Sequence, residues 1–154
     1  MTAVTGRQAL VLPCQDIRLE HDGKLTLVGL FTGNIAIPVV PTIVPQLMFL
    51  IVIDGDLDER LKSLTIEIHL PQIKEPTKAE IPLPPLPPTF LEGQKRFRYQ
   101  IPFAIAPAVL NPGRIVCKII HDKGEIETGA RWIVHAPLPA IASAPPPTPA
   151  PPKQ

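Results

Sequence analysis

The chain of 154 residues is long enough for one domain with one core, and its 15 Lys and Arg against 14 Asp and Glu leave a formal charge of +1. So even a balance gives no general field for nucleic acid or an anionic membrane surface, so binding to either would need a local patch. The longest apolar run, Leu47 to Ile53, falls far short of the ~20 residues of a membrane-spanning helix.

The N-terminal stretch MTAVTGRQALVLPCQD offers only Ala9 to Leu12 as an apolar run, too little for the ~7–15-residue apolar segment of a secretory signal. A cytoplasmic protein is the expectation. Cys14 and Cys117 have neither a metal-site spacing nor that of a disulfide framework, and they are expected to be buried free thiols.

From Gln8 onward the periodicity is that of strands. Asp22-Gly23 lies between Ile17-Arg18-Leu19-Glu20 and Lys24-Leu25-Thr26-Leu27, which predicts a hairpin with a two-residue type I′ loop. Leu47 to Ile53 is apolar at every position, as in a central strand covered on both faces. Asp56 to Leu64 has room for one helical turn. In Leu64 to Leu70 the aliphatic residues alternate with Thr65, Glu67 and His69, which predicts one face in the core and one in water. Phe97 to Ile105 repeats the alternation with larger side chains, and Ile115 to Ile119 continues it. Asn111-Pro112-Gly113 turns the chain into Arg114, and His121-Asp122-Lys123-Gly124 predicts a second hairpin with a longer loop. About eight strands with turns at this spacing imply an all-β, antiparallel β-sandwich over residues 8–135.

Proline is organised by segment: the 22 prolines, against an average share of about 5%, cluster at 82–88 and from Pro137 onward. Residues 136–154 carry almost no charge or large apolar side chains and cannot offset the ~1–2 kcal/mol per residue of backbone ordering, so a disordered Pro/Ala-rich tail is expected there. PLPPLPP at 82–88 contains two overlapping PxxP spacings but lacks the flanking Arg or Lys that orients such peptides, and a structural role at a sheet edge or crossover is the better reading.

Chemistry is sparse. Asp54, Asp56 and Asp58 stand at alternate positions like the start of a calcium loop, yet Glu59 occupies the place where the sharp turn needs Gly, and Glu67 is too far on to close the site. A solvated acidic loop between strands is the simpler account, with a weak calcium site shared with Asp122 as the alternative. Lys95-Arg96-Phe97-Arg98-Tyr99 mixes cations with aromatics, but strand alternation sends the two types to opposite faces, so a base-stacking platform is not expected. The histidines His21, His69, His121 and His135 have no metal spacing, and Ser63 is the one candidate serine nucleophile outside the tail. No catalytic residue, metal ligand or cofactor is assigned, and no enzyme is expected.

Cys14-Gln15-Asp16-Ile17-Arg18, the hairpin, Leu25 to Phe31 with Ile35 and Pro38, and the later Leu110 to Arg114 and Gly129 to Val134, together resemble a family of short bacterial proteins of unknown function. The resemblance covers about residues 8–135. It implies an immunoglobulin-like or C2-like β-sandwich and brings no active site with it. The expected function is therefore a non-enzymatic binding or assembly module for a protein partner or a second copy, with no nucleic-acid or small-molecule ligand; the alternative is a calcium-dependent ligand or lipid-surface module using 54–59. A chain ended after Pro137 should melt at nearly the temperature of the full chain; a loss above ~1 kcal/mol in denaturant titration would show that the tail docks on the domain.

Overall fold

The computed structural model describes residues 7–57, 61–83, 93, 95–126, 128 and 131–136. Among them there are thirteen strands and no α-helix. The excess over the expected eight has a simple cause: prolines and bends cut the ladder into short pieces, and two small ribbons join the main sheets.

Three strands form the first sheet, β1 (Gln8–Cys14), β6 (Leu47–Asp56) and β9 (Arg96–Ile105), all antiparallel with β6 in the centre. The second sheet orders β4 (Ile35–Ala36), β13 (Arg131–His135), β11 (Gly113–His121), β7 (Ser63–His69) and β8 (Thr77–Pro82), with β12 (Gly124–Ile126) also paired to β11. Every pairing in it is antiparallel except β13 with β4. The ribbons are β2 (Asp16–Leu19) with β3 (Leu25–Val28), and β5 (Thr42–Val44) with β10 (Ala108–Leu110).

One core lies between the sheets. Leu47, Phe49, Ile51 and Ile53 of β6 bury one face of the first sheet, joined by Phe97, Ile101, Phe103 and Ile105 of β9; Leu64, Ile66 and Ile68 of β7 and Ile115, Cys117 and Ile119 of β11 answer from the second. Phe49 meets Trp132 of β13 with ring centroids 5.9 Å apart, a tilted contact of the kind aromatic quadrupoles favour. The period-2 pattern read from 64–70 and 97–105 is the pattern the core uses.

Prolines fix the register of the first sheet. A proline has no N–H, so within a ladder its nitrogen must face away from the partner strand. Pro13 stands opposite Phe49 and Pro102 opposite Leu50. The Pro13 carbonyl turns outward as well and accepts a hydrogen bond from the Phe31 N–H at 2.9 Å. By alternation, even-numbered residues of β6 bond to β1 and odd-numbered ones to β9.

The turns exchange the expected lengths. Glu20 N–H donates to the Lys24 carbonyl and Gly23 N–H to the Glu20 carbonyl, leaving a three-residue loop, His21-Asp22-Gly23. Gly23 has φ +81° while Asp22 does not adopt a positive φ, so the turn is not type I′, which requires both. Between β11 and β12, His121 pairs with Gly124, and the loop shortens to Asp122-Lys123. Of the stretch 56–64, with its room for a helical turn, Asp56 ends β6 and Ser63 and Leu64 open β7, while 58–60 lie outside the described residues, as do 84–88 of the PLPPLPP segment and 137–154 of the expected disordered tail.

Phe49→Ala should cost about 3–5 kcal/mol in chemical denaturation, because the removed ring lies fully buried between the sheets. Gln100→Ala, on the exposed side of β9, should stay within ~0.5 kcal/mol.

Candidate interaction surface

The outer face of the first sheet is only partly covered. Leu10 and Leu12 from β1, Leu50 and Val52 from β6, and Gln100 and Arg98 from β9 line an open groove of about 460 Å³, with Gln8 and Asp54 at one end. Leu50 is 5% exposed, shielded by the strands on either side, whereas Leu10 is 54% exposed. Leu47 to Ile53 is thus apolar on two faces for two reasons: the odd positions build the core, and the even positions floor this groove. The second face of β6 is thus covered in part, Leu50 buried and Met48 and Val52 half-buried, rather than enclosed like the first.

The rim is charged and paired. Arg98 Nη2 donates to Asp54 Oδ2 at 3.0 Å, Arg96 Nη1 donates to Asp56 Oδ1 at 3.2 Å, and Arg96 Nη2 lies 3.6 Å from Asp54 Oδ1. These pairs follow from register, since Asp54 faces Arg98 and Asp56 faces Arg96 across the ladder. Asp54 and Asp56 therefore belong to a strand, which corrects the reading of 54–59 as an acidic loop; Asp58 and Glu59 lie outside the described residues. Asp122 is engaged elsewhere, accepting the Lys62 N–H at 3.2 Å, a bond that holds its carboxyl below the ordinary range. Among the described residues no group of three or more His, Cys, Asp or Glu is disposed to hold a metal ion.

The remaining sequence candidates separate in space. Phe97 turns inward and packs on Tyr99 at 5.4 Å, while Arg96 and Arg98 stay outside, so cations and rings do not share a face. Ser63 is exposed at the start of β7, opposite Pro82. His121 Nδ1 accepts the Lys123 N–H at 3.0 Å within its turn. Cys14 and Cys117 are both free and buried; burial raises both thiols, Cys117 to about 12, so neither is a ready nucleophile.

Alternation turns the Glu67 side chain out of the core, toward water, yet the residue is only 9% exposed. Lys78 Nζ bonds Oε1 at 2.7 Å and His69 Nε2 lies 3.3 Å from Oε2, and these two side chains cover it. Alternation alone cannot report such lateral cover; the pairing of β7 with β8, which sets Lys78 opposite Glu67, supplies it. No helix among the described residues is long and apolar enough to cross a membrane.

Comparison of the chain with protein-family models, with curated proteins and with solved structures gives no match in any of the three.

The Lys78 hydrogen bond holds the Glu67 carboxyl below its ordinary value of 4.5. A carboxyl lowered on folding adds stability above the unfolded-state value and loses it as pH falls through the folded one. In Lys78→Met, the carbon NMR titration of Glu67 should move up toward 4.5, and acid unfolding should begin at higher pH than in the parent chain.

Proposed function

We propose that the protein is a non-enzymatic β-sandwich, of immunoglobulin-like or C2-like type, that acts by binding a protein partner through the outer face of its three-stranded sheet. The observation that carries this reading is the groove floored by Leu50 and Val52, with Leu10 and Leu12 along one bank and the Arg98–Asp54 pair at its end. Apolar side chains left at a surface beside paired charges suit a docking face, in which burial supplies affinity and the rim supplies orientation. The same groove suits catalysis poorly, because among the described residues its one acid is already held by two arginines and no base, thiol or hydroxyl converges on it.

The bacterial family suggested by the strand and turn residues fits this reading, since it implies the same architecture and no active site. The calcium-dependent alternative has a specific cost: Asp54 and Asp56 would have to give up Arg98 and Arg96 before offering oxygens to a cation.

Leu10→Asp and Leu10→Lys, at a position more than half exposed, should leave the melting temperature nearly unchanged while removing partners recovered by the parent chain from lysate of its native host. Recovery of the same partners by both variants would exclude the groove. Millimolar calcium should give no heat in calorimetry and no change in melting temperature; a saturable heat lost in Asp54→Asn would favour the cation-dependent module instead.

A further inference from the structure

Sheet edges differ in how they meet another strand. An open edge invites pairing unless like charges, prolines or bulges forbid it. On β9, Arg96, Arg98, Gln100 and Pro102 alternate along the side away from β6, so two-fold registers centred on residue 97 or 98 set arginine against arginine, and those that reach Pro102 lack a donor. None of its two-fold registers sets opposite charges against each other.

The free side of β8 is different. Leu83 N–H donates to the Lys62 carbonyl at 2.9 Å, so by alternation Ile81, Ala79 and Thr77 turn their backbone groups to β7, and Pro82, Glu80 and Lys78 turn theirs away. Among the described residues β7 is the one strand paired with β8. Pro76 and Pro82 have no N–H and close the edge at both ends, leaving Lys78 and Glu80 as its outward donors.

These two residues have opposite charges two positions apart. An antiparallel copy of β8 centred on Ala79 sets Lys78 against Glu80 of the second copy, and Glu80 against Lys78 of the second copy. In that register both couples are hydrogen-bonded pairs, and each exchanges two backbone bonds. Shifting the centre to residue 78 or 80 brings lysine against lysine or glutamate against glutamate, which is unfavourable.

The pattern continues one already present. Lys118, Glu67 and Lys78 lie side by side across β11, β7 and β8, alternating in sign, with the Lys78–Glu67 contact formed at 2.7 Å. Glu80 of a second copy is the next negative charge in that row. Glu80 itself is exposed, with no ion pair among the described residues.

We infer that β8 is a self-pairing edge, through which two copies of this chain join their six-stranded sheets antiparallel about Ala79, with the proline at each end limiting the contact to two residues per copy. An interface this small falls at the low end of specific contacts, so the association is weak and reversible. It uses a surface distinct from the groove proposed above.

Sedimentation of the full chain from micromolar to millimolar concentration tests the inference. The parent chain should show a concentration-dependent monomer–dimer equilibrium that weakens with added salt. Glu80→Lys and Lys78→Glu should each lower the association constant by at least about tenfold, because each places like charges at both contacts. An equimolar mixture of the two, whose edges are complementary, should recover association to near the parent value. Glu80→Pro, which removes an outward donor and leaves the β7 ladder intact, should also abolish dimer. Circular dichroism confirms that each variant is folded; if Lys78→Glu unfolds through loss of the Glu67 bridge, Glu80→Lys and Glu80→Pro decide alone. A parent chain monomeric throughout, or a dimer unchanged in folded Glu80→Lys and Glu80→Pro, overturns the inference. A dimer lost in Leu10→Asp and kept in Glu80→Lys also overturns it and moves self-association to the groove.

Discussion

Strand β6 must satisfy two neighbours at once, and two prolines decide how. Pro13 and Pro102 can occupy their strands only where the nitrogen turns away from β6, so they define which β6 residues bond to which side. A slip of one residue would demand a donor that neither proline has. It would also exchange the faces of the slipped strand, because side chains alternate with a period of two. The placing of Phe49, Ile51 and Ile53 in the core, and of Leu50 and Val52 in the groove, therefore depends on where two N–H groups are missing.

The same register accounts for the electrostatics of the outer face. Asp54 and Asp56 meet Arg98 and Arg96 because the ladder brings them opposite, without a loop that gathers them. Such exposed pairs contribute little to stability, on the order of 0–1 kcal/mol each. Their effect is to neutralise one end of the groove while keeping it polar, beside the aliphatic floor of Leu50 and Val52. On the opposite sheet Glu67 is enclosed between Lys78 and His69, so a charged side chain tolerates near-burial where cationic and imidazole partners flank it.

How far the sequence could be read follows from how local each cause is. The strands at 63–69, 96–105 and 113–121 were legible because alternation reports which face of a single strand is apolar. The turn at Asn111-Pro112-Gly113 was legible because its residue types act within the turn. The hairpin loops were harder: Asp22-Gly23 allows both a type I′ turn and a longer loop in which glycine alone takes positive φ, and the pairing of Glu20 with Lys24 decides between them. The groove was hidden in an all-apolar run, since no period distinguishes a strand fully covered on both faces from one whose second face is covered only in part. The cover over Glu67 and the pairing of Asp54 with Arg98 depend on which strands become neighbours, and composition holds no record of that.

The parallel contact between β4 and β13 binds the order in which the molecule can be assembled. Ile35 lies beside Val134, so the far edge of the larger sheet joins residues from opposite ends of the domain. Both side chains are buried. Hairpins such as β11–β12 can close early with little loss of chain freedom, but this edge must wait for the most distant partner the chain has. Until residues 131–135 emerge during synthesis, Ile35 lacks its ladder partner and Phe49 its ring contact with Trp132.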